Sequence, residues 1–303
     1  MKISKLATIG GALMLISCSS SAEDGVKEVN GFKLTNLKIE KDAILSGGPP
    51  RDGIPSIDKP KFLAVDQVDF MKPDDMVLSF TQGEVTRAYP LRVLVWHEIV
   101  NETIDGRPIL VTYCPLCGTA MVFERKVAGK VRSFGVSGLL YQSDVLMYDR
   151  ESESLWSQLE MMAVSGPLSG KKLKWLSSEH LTWKTWKEKH PDGEVLSTDT
   201  GHRRNYGGTA YASYFNSPNP IKPVPKTRTE LPEKDWVVGV LVGDQAVAFA
   251  VNDLKKSNEV VHKVGDETLT LTYDPESRLA VTTTADGKKI PNVTLFWFAW
   301  QAF

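Results

Sequence analysis

Ile109-Leu110-Val111-Thr112-Tyr113-Cys114-Pro115-Leu116-Cys117-Gly118-Thr119-Ala120-Met121-Val122-Phe123 places two cysteines between two apolar, β-branched segments. The segment 109–113 predicts a strand that runs directly into Cys114. The segment after Gly118 also predicts a strand, because a glycine followed by Thr, Ala, Met, Val and Phe starts a helix poorly. Two thiols three residues apart are therefore expected where one strand ends and the next begins.

The rest of the chain also reads mostly as short strands. Met76–Phe80 and Val85–Tyr89 flank a Gln-Gly turn, Trp236–Val242 and Ala246–Val251 flank a Gly-Asp turn, and strands continue over Val260–Thr284. This pattern predicts a β-rich α+β fold with mostly antiparallel sheet and a few short helices. There is no βαβ rhythm and no dinucleotide fingerprint, so no nucleotide cofactor is expected.

Helices are predicted in three places, and the C-terminus is strongly aromatic. Lys59–Met71 has apolar residues at helical spacing, Leu91–Val100 could form a short helix, and Thr182–His190 ends before a proline. The segment 295–303 must be buried somewhere in the protein.

The Cys-Pro-x-Cys-Gly motif is the half-site of zinc ribbons and rubredoxin-like metal knuckles. Because the chain has no second cysteine pair, further ligands must be His, Met or a carboxylate. His97 and Met121 are the candidates closest to Cys114 and Cys117 along the sequence. Two thiolates with an imidazole or thioether are soft ligands, which favours copper over zinc and both over magnesium, calcium or manganese.

Two other interpretations of the cysteine pair stay open. Cys-Pro-x-Cys also resembles the active dithiol of glutaredoxin-like proteins, although no helix is expected after it. A structural disulfide or two buried thiols is the third interpretation. His97 can equally be a hydrogen-bonded core residue and Met121 a packing residue. His180, His190 and His202 lie in polar surroundings and are expected to be solvated.

A second group of polar and aromatic residues is expected to line a pocket. Gly135-Val136-Ser137-Gly138 differs from the hydrolase nucleophile elbow, because the second glycine directly follows the serine, and we expect a backbone turn there. The residues with pocket-lining potential are Tyr113, Ser137, Tyr141, Asp149, Trp156 and Gln158.

The N-terminus reads as an export signal. Residues 1–17 combine Lys2 and Lys5 with a short apolar run, and the run ends in a segment that resembles the lipobox of bacterial lipoproteins. Cys18 is the expected lipidation site. The protein is thus predicted to be exported and lipid-anchored, facing the periplasm from the outer membrane or lying at the cell surface.

Composition narrows the remaining possibilities. The signal carries two lysines and no acidic residue, so its removal changes the formal charge from −1 to −3. No basic stripe suggests nucleic acid, and the membrane is the expected partner through the lipid anchor; the sequence names no protein partner. Residues 18–58 are expected to form a tether and N-terminal extension, and 59–303 a single domain.

Several strings resemble one family of exported bacterial and archaeal proteins, the domain of unknown function 3179. They are Arg87-Ala88-Tyr89-Pro90-Leu91, Trp96-His97-Glu98-Ile99-Val100-Asn101, Thr112-Tyr113-Cys114-Pro115-Leu116-Cys117-Gly118-Thr119-Ala120, Phe134-Gly135-Val136-Ser137-Gly138-Leu139-Leu140-Tyr141, Tyr148-Asp149-Arg150, Ser154-Leu155-Trp156-Ser157-Gln158 and Phe296-Trp297-Phe298-Ala299-Trp300. The resemblance implies that His97, the cysteines, Ser137, Asp149, Trp156 and Gln158 fall in family motifs. Arg204-Asn205-Tyr206 and Thr209-Ala210-Tyr211 depart from the family's acidic pattern.

Three functional hypotheses follow. The first is a soft-metal site on Cys114 and Cys117, used for metal handling or a metal-assisted redox step. The second is a thiol–disulfide oxidoreductase that uses the same pair. The third is a non-catalytic ligand-binding or scaffold lipoprotein, with Trp156 and its neighbours lining the ligand pocket. The sequence alone does not decide whether the protein is an enzyme.

Overall fold

The computed structural model describes residues 27–208, 210–221, 224 and 228–303. The signal segment and Cys18 lie outside this part of the chain. Strand accounts for 44% and helix for 12%, and the sheets are mostly antiparallel, which confirms the β-rich α+β prediction.

The strands are short and follow one another with few helices between them. In chain order they are β1 (Glu28–Val29), β2 (Phe32–Lys33), β3 (Ile44–Ser46), β4 (Phe62–Ala64), β5 (Met76–Gln82), β6 (Val85–Pro90), β7 (Ile99–Ile104), β8 (Arg107–Cys114), β9 (Thr119–Glu124), β10 (Lys126–Val127), β11 (Lys130–Val131), β12 (Phe134–Tyr141), β13 (Asp144–Asp149), β14 (Leu155–Ser157), β15 (Met162–Ser165), β16 (Lys174–Leu176), β17 (Glu179–Thr182), β18 (Glu194–Leu196), β19 (Trp236–Val242), β20 (Gln245–Ala250), β21 (Glu259–Val264), β22 (Glu267–Asp274), β23 (Leu279–Thr284), β24 (Lys289–Ile290) and β25 (Asn292–Phe296). The helices are α1 (Leu91–Leu94), α2 (Trp183–Lys189), α3 (Ala212–Asn216), α4 (Val251–Ser257) and α5 (Trp297–Trp300).

Five sheets of three or more strands organise the described residues. Their strand orders are β15-β14-β13-β12-β3, β16-β9-β8-β7, β17-β5-β6-β18-β4, β20-β19-β25 and β21-β22-β23-β24. Most neighbours are hairpin partners, and β18 pairs with β6 in parallel. None of the helices described is long and apolar enough to cross a membrane.

The hairpin β8–β9 carries the cysteine motif and separates two parts of the core. Cys114 pairs with Thr119, and Tyr113 pairs with Ala120. Because successive residues of a strand point to opposite faces, Cys114 faces one apolar cluster while Tyr113 faces another. This alternation places the two thiols on one side of the hairpin, together with Met121.

Two of the predicted helices are wrong in whole or in part. Lys59–Met71 forms β4 and a 3-10 turn over Val65–Gln67, because residues 62–64 pair with β18 and sheet pairing overrides the helical spacing. The predicted helix over Leu91–Val100 ends at Leu94, since Ile99 and Val100 begin a strand that pairs with β8. The third predicted helix, near Thr182–His190, is confirmed as α2.

Both ends of the described chain pack into the body of the protein. In the segment expected to be tether and extension, Phe32 and Ile44 are buried, and β3 is an edge strand beside β12. At the C-terminus, Phe296, Trp297 and Phe298 are buried as predicted, whereas Phe303 is 40% exposed. The amide of Phe296 donates to the carbonyl of Cys117 at 2.9 Å, so the aromatic terminus supports the cysteine loop.

Candidate metal centre

Three buried side chains converge at the end of the β8–β9 hairpin. Ligand atoms of Cys114, Cys117 and Asp144 all lie within 4.8 Å of one another. Both cysteines are free, and each of the three residues is at most 1% exposed. Two thiols and a carboxylate at this spacing can coordinate a single metal ion after small side-chain movements.

An unusual turn delivers Asp144 to the cysteines. β12 and β13 are joined by Gln142 and Ser143, which both have positive φ, at 51° and 64°. A two-residue hairpin turn of this kind usually carries Asn-Gly, since other residues are strained there. The turn also directs the carbonyl of Ser143 at the thiols, with the Cys117 sulfur at 3.4 Å and the Cys114 sulfur at 3.9 Å.

Unpaired polar atoms surround this group. The amide of Leu159 donates to Oδ2 of Asp144 at 3.1 Å, whereas Oδ1 is buried without a hydrogen-bond partner within the described chain. The same holds for Oγ1 of Thr119 and Oε1 of Gln158 in the described structure. Buried polar atoms are nearly always paired, so three such atoms around one site point to a bound ion or polar ligand.

The electrostatics of the site favour a bound cation. Burial raises the pKa of Asp144 to about 7, although backbone amides of Leu159 and Val145 partly oppose this. Burial also raises the pKa of Glu98 to about 8, and the Asp144 carboxylate adds to the effect. Neither carboxylate forms an ion pair with a described residue, and burial favours the protonated form of each; a bound cation would neutralise them equally well.

The thiols share this acidic environment. Burial raises the pKa of Cys114 and raises that of Cys117 well above its ordinary value. In the absence of a cation both sulfurs are therefore protonated near neutral pH. A metal ion reverses this preference, since a coordinated thiol loses its proton.

His97 lies outside the group formed by the cysteines and Asp144. Its Nδ1 donates to the carbonyl of Pro55 at 2.8 Å, and its Nε2 accepts from the hydroxyl of Tyr206 at 2.6 Å. Burial lowers the pKa of His97 to about 4, so the ring is neutral and both nitrogens are engaged. The residue of the segment before β7 that lies near the cysteines is Glu98. It lines a cavity of about 50 Å³ together with Cys114.

Met121 and Gln158 lie beside the cysteines on the same hairpin face. Met121 belongs to the apolar cluster that contains both sulfurs and is 2% exposed. Gln158 donates to Oγ1 of Thr112 at 2.7 Å and to the carbonyl of Thr119 at 3.3 Å. The side-chain amide of Gln158 thus connects the turn after β14 to the hairpin that bears Cys114.

The other predicted pocket residues are not brought to one place. Ser137 lies at a bulge within strand β12 and not in the predicted turn, and its hydroxyl donates to the carbonyl of Leu146. Asp149 and Trp156 are fully buried, and Nε1 of Trp156 donates a hydrogen bond to Oδ2 of Asp149 at 3.0 Å. Tyr141 packs edge-on against Phe303.

The sequence analysis did not identify Asp144 as a ligand candidate, and it predicted the wrong environment for His180. Asp144 was visible as the acidic residue that begins a predicted strand, but its approach to the cysteines depends on the turn at residues 142–143. The expectation that His180 is solvated is wrong, since it is 8% exposed and donates from Nε2 to the carbonyl of Ala120 at 2.9 Å. His202 is exposed as expected and His190 is half-buried.

A family model described as a protein of unknown function (DUF3179) matches residues 51–303. The chain belongs to the DUF3179 family. No curated protein and no solved structure matches the chain. In this DUF3179 protein, Cys114, Cys117 and Asp144 are the three buried residues that come together.

Proposed function

We propose that this DUF3179 protein binds a metal ion through Cys114, Cys117 and Asp144. The observation that carries the proposal is the convergence of three buried ligand atoms within 4.8 Å of one another. The unpaired Oδ1 of Asp144 supplies an acceptor that a cation would satisfy. A site of this kind could serve to bind and transfer a metal ion. It could also catalyse a reaction, if a substrate occupies the coordination position for which the protein supplies no ligand.

The donor set bears on which metal is bound. The two thiolates alone favour copper, as the sequence suggested, but a carboxylate is a hard ligand that monovalent copper does not prefer. Zinc accepts thiolates and carboxylates together, and zinc sites with three protein ligands keep a fourth position open. We therefore propose zinc as the better match to the full set and copper as its competitor.

The alternative of thiol–disulfide exchange is less well supported. Reactive cysteines have a lowered pKa and sit at a helix N-terminus or beside a cation. Here burial raises the pKa of both thiols, and the residues after Gly118 form β9 rather than a helix. A metal ion explains the pairing of buried thiols with a buried carboxylate, whereas dithiol redox chemistry does not require Asp144.

Metal content after loading tests the proposal. Protein lacking residues 1–18, so that Cys18 adds no third thiol, is incubated with zinc or with monovalent copper under reducing conditions, desalted and analysed for metal. We expect about one equivalent in the wild type, none in Cys114→Ser/Cys117→Ser, and a weakened site in Asp144→Asn. His97→Gln is the matched control, because its imidazole lies outside the group, and it should bind as the wild type does.

Equal and negligible metal in the wild type and the double cysteine variant would falsify the metal proposal. Loss of metal in His97→Gln, with full retention in Asp144→Asn, would instead return His97 to the ligand set. Comparison of zinc with copper at equal free concentration decides between the two ions.

We also propose that the protein is exported and lipid-anchored through Cys18. The support is the positively charged start, the short apolar run and the lipobox-like segment that precedes this cysteine. Labelled fatty acid should be incorporated into the wild type and not into Cys18→Ser. Equal labelling of both proteins contradicts the proposal.

A further inference from the structure

A cavity of about 460 Å³ lies between the cysteine-bearing hairpin and the C-terminal strands. Tyr113 and Gly118 line it on the hairpin side, and Trp236 and Tyr273 line it on the opposite side. This volume is within the range of pockets that hold small organic molecules. The metal-centre residues do not line it, and Cys114 instead borders the separate cavity of about 50 Å³.

The large cavity and the metal centre lie on opposite faces of one hairpin. Tyr113 and Cys114 are consecutive in β8, so their side chains point away from each other. Tyr113 belongs to a different apolar cluster from the two cysteines. The cavity is therefore a second site with its own lining, and its chemistry can be judged independently of any metal.

Two cations reach the cavity without acidic partners. Lys255 on α4 and Arg278 in the turn after β22 both line its rim and are exposed, and neither forms an ion pair within the part of the chain that the structure describes. Asp274, four residues before Arg278, is held by the amides of Glu276 and Ser277. None of the described residues that line the cavity is a carboxylate, so its two charged groups are both positive.

The backbone of Arg278 is unusual for an arginine. Its φ is +59°, in the left-handed region that favours glycine or asparagine. Asn258 at the end of α4 has the same φ and is an ordinary choice for such a position. The turn places the guanidinium of Arg278 at the cavity.

The remaining walls are mixed, with aromatic rings beside the polar side chains of His180 and Thr294. Trp236 is 38% exposed, although its ring packs at 4.1 Å, centroid to centroid, on Phe296. Tyr113 lines the same space as Trp236 and Tyr273. Exposed aromatic surface beside unpaired cations suits a ligand with a flat apolar body and one anionic end.

We propose that this cavity binds a small organic carboxylate with an aromatic or apolar ring system. The carboxylate pairs with Arg278 and Lys255, and the ring system lies among Tyr113, Trp236 and Tyr273. An arginine guanidinium binds a planar carboxylate through two parallel hydrogen bonds. The proposal goes beyond metal binding, since none of these residues belongs to the metal centre.

Isothermal titration with two probes of nearly equal size and shape tests the proposal. Naphthalene-2-carboxylate carries the charge, and 2-naphthalenemethanol is its neutral counterpart. We expect the carboxylate to bind at least ~10-fold more tightly, because hydrogen bonds to charged groups are the stronger ones. Arg278→Gln and Lys255→Gln should each remove much of this difference, while Trp236→Leu should weaken both probes.

Lys263→Gln is the matched control, since Lys263 is an exposed lysine of β21 that does not line the cavity. It should bind both probes as the wild type does. Three results overturn the proposal: no saturable binding of the carboxylate up to millimolar concentration, equal affinity for the two probes, or equal weakening by Lys263→Gln and Arg278→Gln. The thermal midpoints of the variants report whether each is folded.

A titration of chelator-treated wild-type protein separates this proposal from the metal proposal. The carboxylate affinity should be unchanged by metal removal. If metal loading fails but the carboxylate still binds, only the metal proposal falls. If metal binds and the carboxylate does not, only the cavity proposal falls.

Discussion

The ring of Trp236 covers Gly118, the residue that directly follows the second cysteine. A Cβ at Gly118 would stand 2.5 Å from Cη2 of that ring, and the φ of Gly118 is +67°. The position therefore excludes a side chain for two separate reasons, backbone conformation and space. Because Trp236 also contacts Phe296, the cysteine loop is held against the C-terminal aromatic residues.

Gly118→Ala should destabilise the protein by about 2–4 kcal/mol, because alanine is strained at positive φ and overpacks against Trp236. Gly129→Ala is the matched control: its φ is +76°, but nothing lies within 4 Å of the added Cβ. It should cost only about 1–2 kcal/mol. Urea denaturation measures both, and equal losses would show that the contact with Trp236 contributes nothing.

Trp156→Phe should lower the free energy of unfolding by about 2–4 kcal/mol. The change removes the indole N–H that donates to the fully buried Asp149 and leaves that carboxylate with fewer donors. Trp175→Phe provides the comparison, because Nε1 of Trp175 is buried without a partner within the described residues. It should cost less than about 1 kcal/mol. The prediction fails if the two substitutions have the same cost.

His180 should make the protein less stable as the pH falls below neutrality. Burial lowers the pKa of His180 to about 4 in the folded state, against 6.5 when exposed. Between these values the unfolded chain binds a proton that the folded chain does not, so acid favours unfolding. We expect the stability of the wild type relative to His180→Gln to be constant above about pH 7 and to fall by about 3 kcal/mol towards pH 4.

Glutamine in that variant retains a donor for the carbonyl of Ala120, so the comparison isolates the titration of the ring. Chemical denaturation at a series of pH values gives the difference directly. A difference that does not vary between pH 7 and pH 4 contradicts the assignment of a buried, neutral His180.

Zinc should raise the thermal midpoint of the wild type if the three-ligand centre forms. A ligand that binds only the folded state at 100-fold excess over its dissociation constant stabilises by about 2.7 kcal/mol. Asp144→Asn should need a higher zinc concentration for the same shift, and Cys114→Ser/Cys117→Ser should show none. A shift of equal size in all three proteins would mean that zinc binds elsewhere.

Local pattern was enough to predict the hairpin that bears the cysteines. Alternating and β-branched residues on both sides of Cys-Pro-x-Cys-Gly specify β8 and β9, and the strand pairs near residues 76–90 and 236–251 follow the same rule. The helix predicted over Lys59–Met71 was wrong, because the spacing of its apolar residues suits a helix as well as an edge strand. There the partner strand β18, more than a hundred residues later, decides the outcome.

The third member of the candidate centre depended on tertiary structure. Asp144 approaches the cysteines because two consecutive left-handed residues turn β12 back into β13, and neither is glycine. His97 looked suitable because of its position before the strand that precedes Cys114. Its ring nitrogens are instead taken by Pro55 and Tyr206, and Tyr206 lies 109 residues away along the chain.

For a chain anchored at Cys18, the early start of folded structure would limit how far the domain can stand from the membrane. Strand β1 begins at Glu28, and β3 completes a sheet edge beside β12. Only nine residues lie between Cys18 and Glu28, and the ten steps along a fully extended chain from one to the other span at most about 35 Å. A protein anchored at Cys18 would thus be confined to a layer next to the lipid headgroups, and any molecule it serves would have to meet it there.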